Sequence, residues 1–317
     1  MRSPGESPWA SDSSQELADW LECEAIASPS RTASLETLVR ALRQTGSTDA
    51  LEDDDDSARQ DSGSVKSQEK AGDAIIEIES RATACGSRAG AYPFSVDSAG
   101  VVTVVDKPED APYVFLLLLS YAVPSGGHSG SAVAFEELCR VAALNYLGGD
   151  ANGVEVIRFG SPRKPPLTRF GKAVEQLCTQ VGEGAWGGST QNGNKTGDRG
   201  LDIVAWRRFP DGKPSKLVTF GQCASGRSGW GSKLNELNPE AWGKEWLRQQ
   251  IHVEPVRLFF VPWCVSQDEW NHASFYGGIL FDRCRIVSCL TKLETSVETL
   301  RLSHTKRLLK PLLERSR

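Results

Sequence analysis

The sequence predicts an α/β protein on the strength of three observations. From residue 130 onward, segments with apolar residues at helical spacing alternate with short apolar, β-branched segments, as in helices packed on a mixed sheet. The part before residue 125 is mainly helical in pattern and is interrupted by a polar stretch. Hydrophobic residues make up 39% of the 317 residues, which allows a sizeable core and about two domains.

The N-terminal part is predicted to be an accessory region that precedes the main domain. Gln15–Ile26 and Thr32–Arg43 carry apolar residues at helical spacing and would form a small helical or winged-helix-like module. The polar stretch that follows is acidic and almost free of large apolar residues, which is typical of a disordered linker. The predicted divisions are a helical module at residues 1–50, a disordered linker at 51–72, an accessory α+β segment at 73–125 and the main domain at 126–317.

Charge is distributed unevenly along the chain. Residues 130–317 hold 26 Lys and Arg against 19 Asp and Glu, whereas residues 1–129 hold 10 against 22. A basic C-terminal part indicates a polyanionic partner such as DNA, although a solvated basic surface would have the same composition. The longest apolar run, Tyr113–Leu119, is far shorter than the ~20 residues that cross a bilayer, and the N-terminus has no apolar signal segment. We therefore expect a cytoplasmic protein with no membrane partner.

The eight cysteines are predicted to be buried, reduced thiols. They are scattered, they form no Cys-x-x-Cys pair, and no histidine has metal-ligand spacing to them. The sequence therefore predicts that the cysteines do not form a zinc site.

The stretch with the clearest chemistry is a predicted β-hairpin flanked by glycines. Leu201–Trp206 and Leu217–Phe220 are apolar strands, and Pro210–Ser215 supplies the turn. Asp202 opens the first strand and Gln222 follows the second. An aspartate opening a buried apolar strand is unusual, which favours a functional role for Asp202, whereas Gln222 fits an ordinary exposed hairpin equally well.

These residues are suited to metal-dependent hydrolysis of a phosphodiester. That reaction needs a hard divalent cation, Mg²⁺ or Mn²⁺, held by carboxylates beside an aligned water. Asp202 would be the main ligand, with Gln222 as a neutral oxygen donor and one preceding acidic residue as a second carboxylate. An ammonium group from Lys233 could stabilise the developing negative charge. The candidate residues are Glu175, Glu183, Asp198, Asp202, Gln222 and Lys233.

The motif Gly-Asp-Arg-Gly-Leu-Asp202, followed by a hairpin and Gln222-Cys-Ala224, resembles the PD-(D/E)xK nuclease superfamily. It is most similar to the branch related to Mrr-type restriction endonucleases, whose core is commonly Gly-Asp-Gly-Gly-Val-Asp followed by a strand ending in Gln-x-Lys. The resemblance covers roughly residues 130–290, and the motif itself covers Phe170–Lys233. It implies a restriction-endonuclease-like α/β/α sandwich around a mixed sheet.

The resemblance also implies roles for individual residues. Asp202 would bind the metal, Gln222 would stand at the Asp/Glu position, and a helix glutamate would complete the site. The position of the motif lysine is Ala224. The catalytic lysine would therefore have migrated to a neighbouring helix, where Lys233 is the candidate.

Three glutamates compete for the helix position. Glu175 lies inside the predicted helix Phe170–Val181, Glu183 lies just past it, and Glu136 lies at the analogous place of the preceding helix. Glu183 is preferred, because its Gly-Glu-Gly setting would expose it beside the loop that leads to the hairpin.

The resulting prediction is a Mg²⁺-dependent endonuclease that cleaves DNA. The resemblance implies bacterial defence against foreign DNA, such as that of phage. Because an unregulated DNase would harm its host, we expect a regulatory partner protein or effector; homo-oligomerisation is left open. The alternative is a catalytically inactive nuclease-fold module that binds nucleic acid or protein in a larger complex, which Ala224 favours and the retained acidic residues oppose.

A papain-like thiol protease is a weaker rival. Gly-Gln-Cys-Ala-Ser-Gly226 is similar to the sequence around the catalytic cysteine of that family. The position of the nucleophilic cysteine is Gly226, however, and that of the oxyanion glutamine is Phe220. The sequence therefore excludes this chemistry.

Overall fold

The structure, a computed structural model, describes residues 13–46, 56–122, 129–187, 199–227 and 229–314. It is an α/β protein with a mixed sheet, as predicted. The strands are β1 (Thr32–Ser34), β2 (Phe94–Val96), β3 (Val101–Val104), β4 (Val154–Arg158), β5 (Ala185–Trp186), β6 (Ile203–Arg207), β7 (Val218–Cys223), β8 (Leu247–Gln249), β9 (Val256–Phe260) and β10 (Ile279–Phe281). The helices are α1 (Ser14–Ala27), α2 (Leu35–Gly46), α3 (Asp56–Ala84), α4 (Pro112–Ala122), α5 (Ser129–Tyr146), α6 (Phe170–Val181), α7 (Trp230–Lys233), α8 (Pro239–Trp246), α9 (Gln267–Gly277), α10 (Arg283–Cys289) and α11 (Thr295–Glu314).

The largest sheet has five strands in the order β10–β9–β7–β6–β4. β6 pairs antiparallel with both β4 and β7, whereas β9 pairs parallel with both β7 and β10. Arg158 lies opposite Ile203, and Ile203 lies opposite Gly221. This register brings the end of β4, the start of β6 and the end of β7 to one edge of the sheet.

The predicted hairpin is confirmed as β6 and β7. Val204 and Trp206 join a core with α6 and α8 on one face of the sheet, while Ile203 belongs to the core of the other face. Two-residue alternation therefore buries both sides of β6, as expected for a strand between two helical layers. The turn contains positive-φ backbone at Gly212, with φ 65°, and at Ser215, with φ 74°.

The N-terminal region contains a second, three-stranded antiparallel sheet in the order β1–β3–β2. Helices α1, α2 and α3 pack together beside it. The two helices predicted for this region are present as α1 and α2.

The predicted linker is replaced by helix from residue 56 onward. α3 begins at Asp56 and continues to Ala84, so most of the 51–72 segment is helical, and residues 47–55 lie outside the described part of the chain. Ala71 and Ala74 are fully buried in the core. The prediction of disorder is wrong because small alanine side chains are enough to pack a polar helix against the protein where neighbouring helices supply the apolar surface.

A buried ionic cluster fixes α1 and α3 to α10. Asp19 accepts hydrogen bonds of 2.8 Å from both Arg81 and Arg283, and Tyr113 donates to Glu22 over 2.9 Å. These side chains are at most 3% exposed. Burial opposes ionisation of Asp19, but the two arginines outweigh it and lower its pKa to about 2.

One continuous hydrophobic core joins the N-terminal helices to the large sheet. It includes residues from α1, α4, α5 and α11 together with Ile203, Leu258 and Phe260 of the sheet. The short apolar segment Arg285–Ser288, which by pattern alone would also fit a strand, lies within α10. Asp282 caps that helix by accepting from the Arg285 N–H over 2.9 Å. Within the described residues, no helix is long and apolar enough to span a membrane.

Candidate active site at the ends of three strands

Asp202 is held by its backbone between the ends of β4 and β7. Its N–H donates to Gly221 O over 2.9 Å, and its carbonyl accepts from the N–H groups of Phe159 at 2.7 Å and Gly160 at 2.9 Å. The chain turns into this position through left-handed backbone at Arg199 and Gly200. Asp202 therefore occupies a fixed place at the sheet edge.

The carboxylate of Asp202 faces Gly160 and Glu136. Its Oδ2 accepts a hydrogen bond of 2.7 Å from the Cys223 N–H. A Cβ atom placed on Gly160 would lie 3.0 Å from Asp202 Oδ1 and 2.8 Å from Glu136 Oε2. Both carboxylate oxygens thus border one small space, which a glycine at position 160 keeps open.

Glu136 reaches this space from α5. Its neighbours Phe135, Leu138 and Cys139 are fully buried and fix that helix on the sheet. Glu136 Oε2 accepts a hydrogen bond of 2.8 Å from Arg158, which also donates to Gly160 O over 3.1 Å. The arginine therefore supports the ionised form of Glu136.

Two thiols lie against the carboxylate pair. Burial raises the pKa of Cys139 and of Cys223, and the negative charges of Glu136 and Asp202 raise both values further. Both thiols are therefore protonated at neutral pH. The donors that face the space at Gly160 are oxygen atoms, which suits a hard cation such as Mg²⁺.

Gln222 is buried in a polar network on β7. Its Nε2 donates to Glu236 over 2.8 Å, and its Oε1 accepts from Arg257 over 2.9 Å. Burial lowers the pKa of Arg257 to about 10, although the charge of Glu236 opposes that shift. Among the described residues, the side chain of Gln222 therefore bonds Glu236 and Arg257, and it bonds neither Asp202 nor Glu136.

Lys233 is the last residue of the short helix α7 and contacts the Gln222 network through its backbone. Its carbonyl accepts a hydrogen bond of 3.2 Å from Arg257. Among the described residues, its ammonium group makes no ion pair or hydrogen bond. The structure therefore leaves its catalytic role as a prediction.

The preferred helix glutamate, Glu183, is engaged elsewhere. Its carboxylate accepts hydrogen bonds from the backbone of Ser215 at 2.7 Å and of His252 at 3.0 Å, and Lys216 lies 3.6 Å away. Burial opposes its ionisation, but the bonds from His252 and Ser215 and the charge of Lys216 lower its pKa. Glu183 therefore ties the hairpin turn to the loop before β9, and its described contacts do not include Asp202.

The other two acidic candidates do not join the pair either. Glu175 is exposed and forms an ion pair of 2.8 Å with Lys172. Asp198 lies outside the described residues. Of the three glutamates considered for the helix position, the structure brings only Glu136 to Asp202.

A groove with mixed charge is lined by Glu137, the residue after Glu136, and by Arg158, which bonds Glu136. It has a volume of about 680 Å³ and is lined by four basic side chains and two acidic ones. Arg163 is fixed in its wall by a hydrogen bond of 3.0 Å to Phe159 O. The lining charged residues are Glu137, Arg140, Arg158, Arg163, Lys164 and Glu294.

Arg158 and Gly160, which lie against Glu136, were not among the residues singled out in the sequence, and the sequence preferred Glu183 to Glu136. Gly-Ser-Pro directly after a predicted strand was a usable signal for Gly160, because glycine at a strand end often marks close approach of other groups. The tryptophans Trp242 and Trp246 are buried core residues.

Comparisons of the chain with protein-family models, curated proteins and solved structures found no match. The chemistry of the site is therefore argued from its geometry. Two carboxylates from different elements, with arginine beside them and a basic groove leading away, form an arrangement suited to a divalent cation and an anionic substrate.

Proposed function

We propose that the protein is a metal-dependent nuclease that hydrolyses phosphodiester bonds in DNA. The observation that carries this proposal is the convergence of Glu136 and Asp202 on the space at Gly160. Two ionised carboxylates at one site repel each other unless a cation lies between them. Such a pair at a sheet edge is a reasonable metal site.

The arrangement of elements supports the PD-(D/E)xK interpretation. A helix, α5, supplies the glutamate and packs on antiparallel strands that carry the Asp202 motif at one edge. We propose the restriction-endonuclease-like sandwich for the part of the chain from α5 onward. In this interpretation Glu136 takes the helix position that the sequence had left between three residues.

The residues divide the catalytic work in the following way. Glu136 and Asp202 would hold Mg²⁺ or Mn²⁺, and the ion would supply Lewis acidity and an activated water. Asp202 is oriented by the Cys223 N–H. Arg158, which bonds both Glu136 and the Gly160 carbonyl in this structure, would bring positive charge to a phosphate bound at the same space. Lys233 remains the candidate for stabilising the leaving group.

DNA is the proposed substrate because the groove beside Glu136 is predominantly basic. Arg140, Arg158, Arg163 and Lys164 would contact the phosphate backbone, so binding should weaken as salt rises. Defence against foreign DNA, with an activating partner protein or effector, is the setting that we propose from the resemblance.

The test is cleavage of supercoiled plasmid with Mg²⁺ or Mn²⁺ by wild type, Glu136→Gln and Asp202→Asn. We expect each variant to lose at least ~100-fold of the metal-dependent rate, because each removes a charged ligand. Glu175→Gln and Glu183→Gln are matched controls that remove a carboxylate elsewhere, and both should cleave like wild type. Metal-independent cleavage, or full activity of both test variants, would contradict the proposal.

A second candidate is the catalytically inactive binding module. The observation that favours it is the engagement of Gln222 by Glu236 and Arg257, together with Ala224 at the lysine position. Calorimetric titration with Mn²⁺ separates the two functions. Binding that Asp202→Asn abolishes supports the nuclease, whereas salt-sensitive DNA binding without any metal binding supports the module.

A further inference from the structure

Two thiols and a carboxylate form a second cluster, just beyond the ends of β9 and β10. Cys264, Asp282 and Cys284 are all buried, and one ligand atom of each lies within 4.8 Å of the other two. The two sulfur atoms are 3.7 Å apart. We name these three residues the thiol cluster.

The parallel pairing of β9 and β10 assembles the thiol cluster. Val261, directly after β9, donates its N–H to Phe281 O over 2.9 Å, so the segments that leave both strands run side by side. Cys264 lies in the first segment, and Asp282 and Cys284 lie in the second. The cluster is therefore positioned by the sheet itself.

The geometry points to a thiophilic metal ion: we propose that the thiol cluster binds Zn²⁺. Zinc–sulfur bonds of about 2.3 Å in a tetrahedron place two sulfur atoms about 3.7–3.8 Å apart, which matches the observed separation. A disulfide would need about 2.05 Å. A carboxylate oxygen within reach of both sulfurs adds a third ligand of a type that zinc accepts.

Cys85 is the candidate for the fourth ligand. It directly follows α3, and its thiol interacts with that of Cys284. A cavity of about 460 Å³ reaches Cys264, Asp282 and Cys284 from the side of α3 and gives an ion a route to them. Zinc held by these residues would pin α3 of the N-terminal region to the loop after β9 and to α10.

Charge in the surroundings suits this assignment. On binding, each cysteine thiol loses its proton to solvent, and the three thiolates of Cys85, Cys264 and Cys284 with Asp282 exceed the charge of the ion by two. Arg81 lines the same cavity, and Arg283 precedes Cys284 in α10. These two arginines place positive charge beside the cluster, and they are held by the Asp19 network.

The first experiment measures zinc in the full-length protein purified under reducing conditions, by inductively coupled plasma mass spectrometry. We expect about one zinc per chain. After chelation, titration with Co²⁺ should produce tetrahedral d–d absorption and a thiolate charge-transfer band. Cys264→Ser and Cys284→Ser should lose both signals, whereas Cys178→Ser, a half-buried thiol outside the cluster, should retain them.

A second measurement uses only the wild-type protein, so it remains decisive if the cysteine variants fail to fold. Alkylation of the wild-type protein is mapped by mass spectrometry with and without chelator. Zinc binding predicts that Cys264 and Cys284 react at least tenfold faster after chelation, with Cys178 unchanged. A metal content near zero with identical alkylation in both samples would overturn the proposal, as would a Cys264–Cys284 disulfide in freshly prepared protein. The outcome does not depend on nuclease activity.

Discussion

The molecule contains two places where carboxylates and arginines meet, and they differ in what surrounds them. Asp19 and Glu22 face Arg81 and Arg283 in a cluster whose side chains are at most 3% exposed and bond to one another. Glu136 and Asp202 instead lie at a sheet edge, beside a glycine and a groove. The first set neutralises itself inside the protein, and the second borders a space that another group can enter.

The difference shows that buried charge alone does not identify a functional site. The Asp19 side chain is 3% exposed and its pKa is lowered to about 2, yet the hydrogen bonds of this cluster point at one another. Open space beside the charged atoms is the more useful sign, because a ligand needs room as well as charge. The following predictions test this distinction, starting with the largest effect.

Asp19→Asn should destabilise the protein by about 3–5 kcal/mol, because it leaves two buried guanidinium groups with reduced charge compensation. Urea unfolding followed by circular dichroism measures the free energy of unfolding. Glu175→Gln, which removes one partner of an exposed ion pair, is the matched control and should change it by less than about 0.5 kcal/mol. Equal effects of the two substitutions would mean that the Asp19 cluster contributes no special stability.

Gly160→Ala should lower metal-dependent cleavage by roughly 10- to 100-fold, which corresponds to about 1.4–2.7 kcal/mol in the activation barrier. The added methyl group would lie 2.8 Å from Glu136 Oε2 and would fill the space between the carboxylates. Gly72→Ala is the control, since a Cβ there meets no atom within 4 Å. Wild-type cleavage by Gly160→Ala would show that the space is not where the metal binds.

Glu183→Gln should lower the free energy of unfolding by about 2 kcal/mol at neutral pH, because hydrogen bonds to a charged acceptor are lost. The pKa of Glu183 is lower in the folded protein than its ordinary value, so its contribution is present above that ordinary pKa and disappears as the pH falls through the folded value. Wild type and variant should therefore converge in acid. Urea unfolding at pH 7 and pH 3 checks this, and a constant difference between them would contradict the assignment.

Lys233→Ala should have the smallest effect on stability, within about 0.5 kcal/mol, because its ammonium group makes no ion pair among the described residues. If Lys233 replaces the missing motif lysine, cleavage should nevertheless fall at least tenfold. Thermal unfolding and plasmid cleavage of the same sample separate the two effects. Unchanged cleavage would remove Lys233 from the site.

Much of the fold was predictable because local sequence determines it. The helix Phe170–Val181 and the strands of the Asp202 hairpin follow from apolar periodicity and turn residues. By contrast, the short apolar run Arg285–Ser288 fits a strand as well as a helix, and only the Asp282 cap favours the helix that forms. The segment after Asp56 was predicted to be disordered, because its sequence does not show which neighbouring helices bury it.

The site was predictable only in part, since it is made by residues far apart in the chain. Asp202 was identified from its place at the start of a strand. Choosing Glu136 over Glu183 required knowing that Ser215 and His252 occupy the latter. Likewise, Cys264 and Cys284 are separated by 20 positions and meet only because two parallel strands end together.

The shared core has a consequence for how the chain can be divided. A fragment that begins near residue 126 would lose α1 and α4, leaving an apolar surface exposed on α5 and on α11. Such a fragment should aggregate, whereas the whole chain should melt in a single transition. The N-terminal helices then act as one half of a single folding unit. A ligand that binds them would be energetically linked to the distant carboxylates through the cooperativity of that unit.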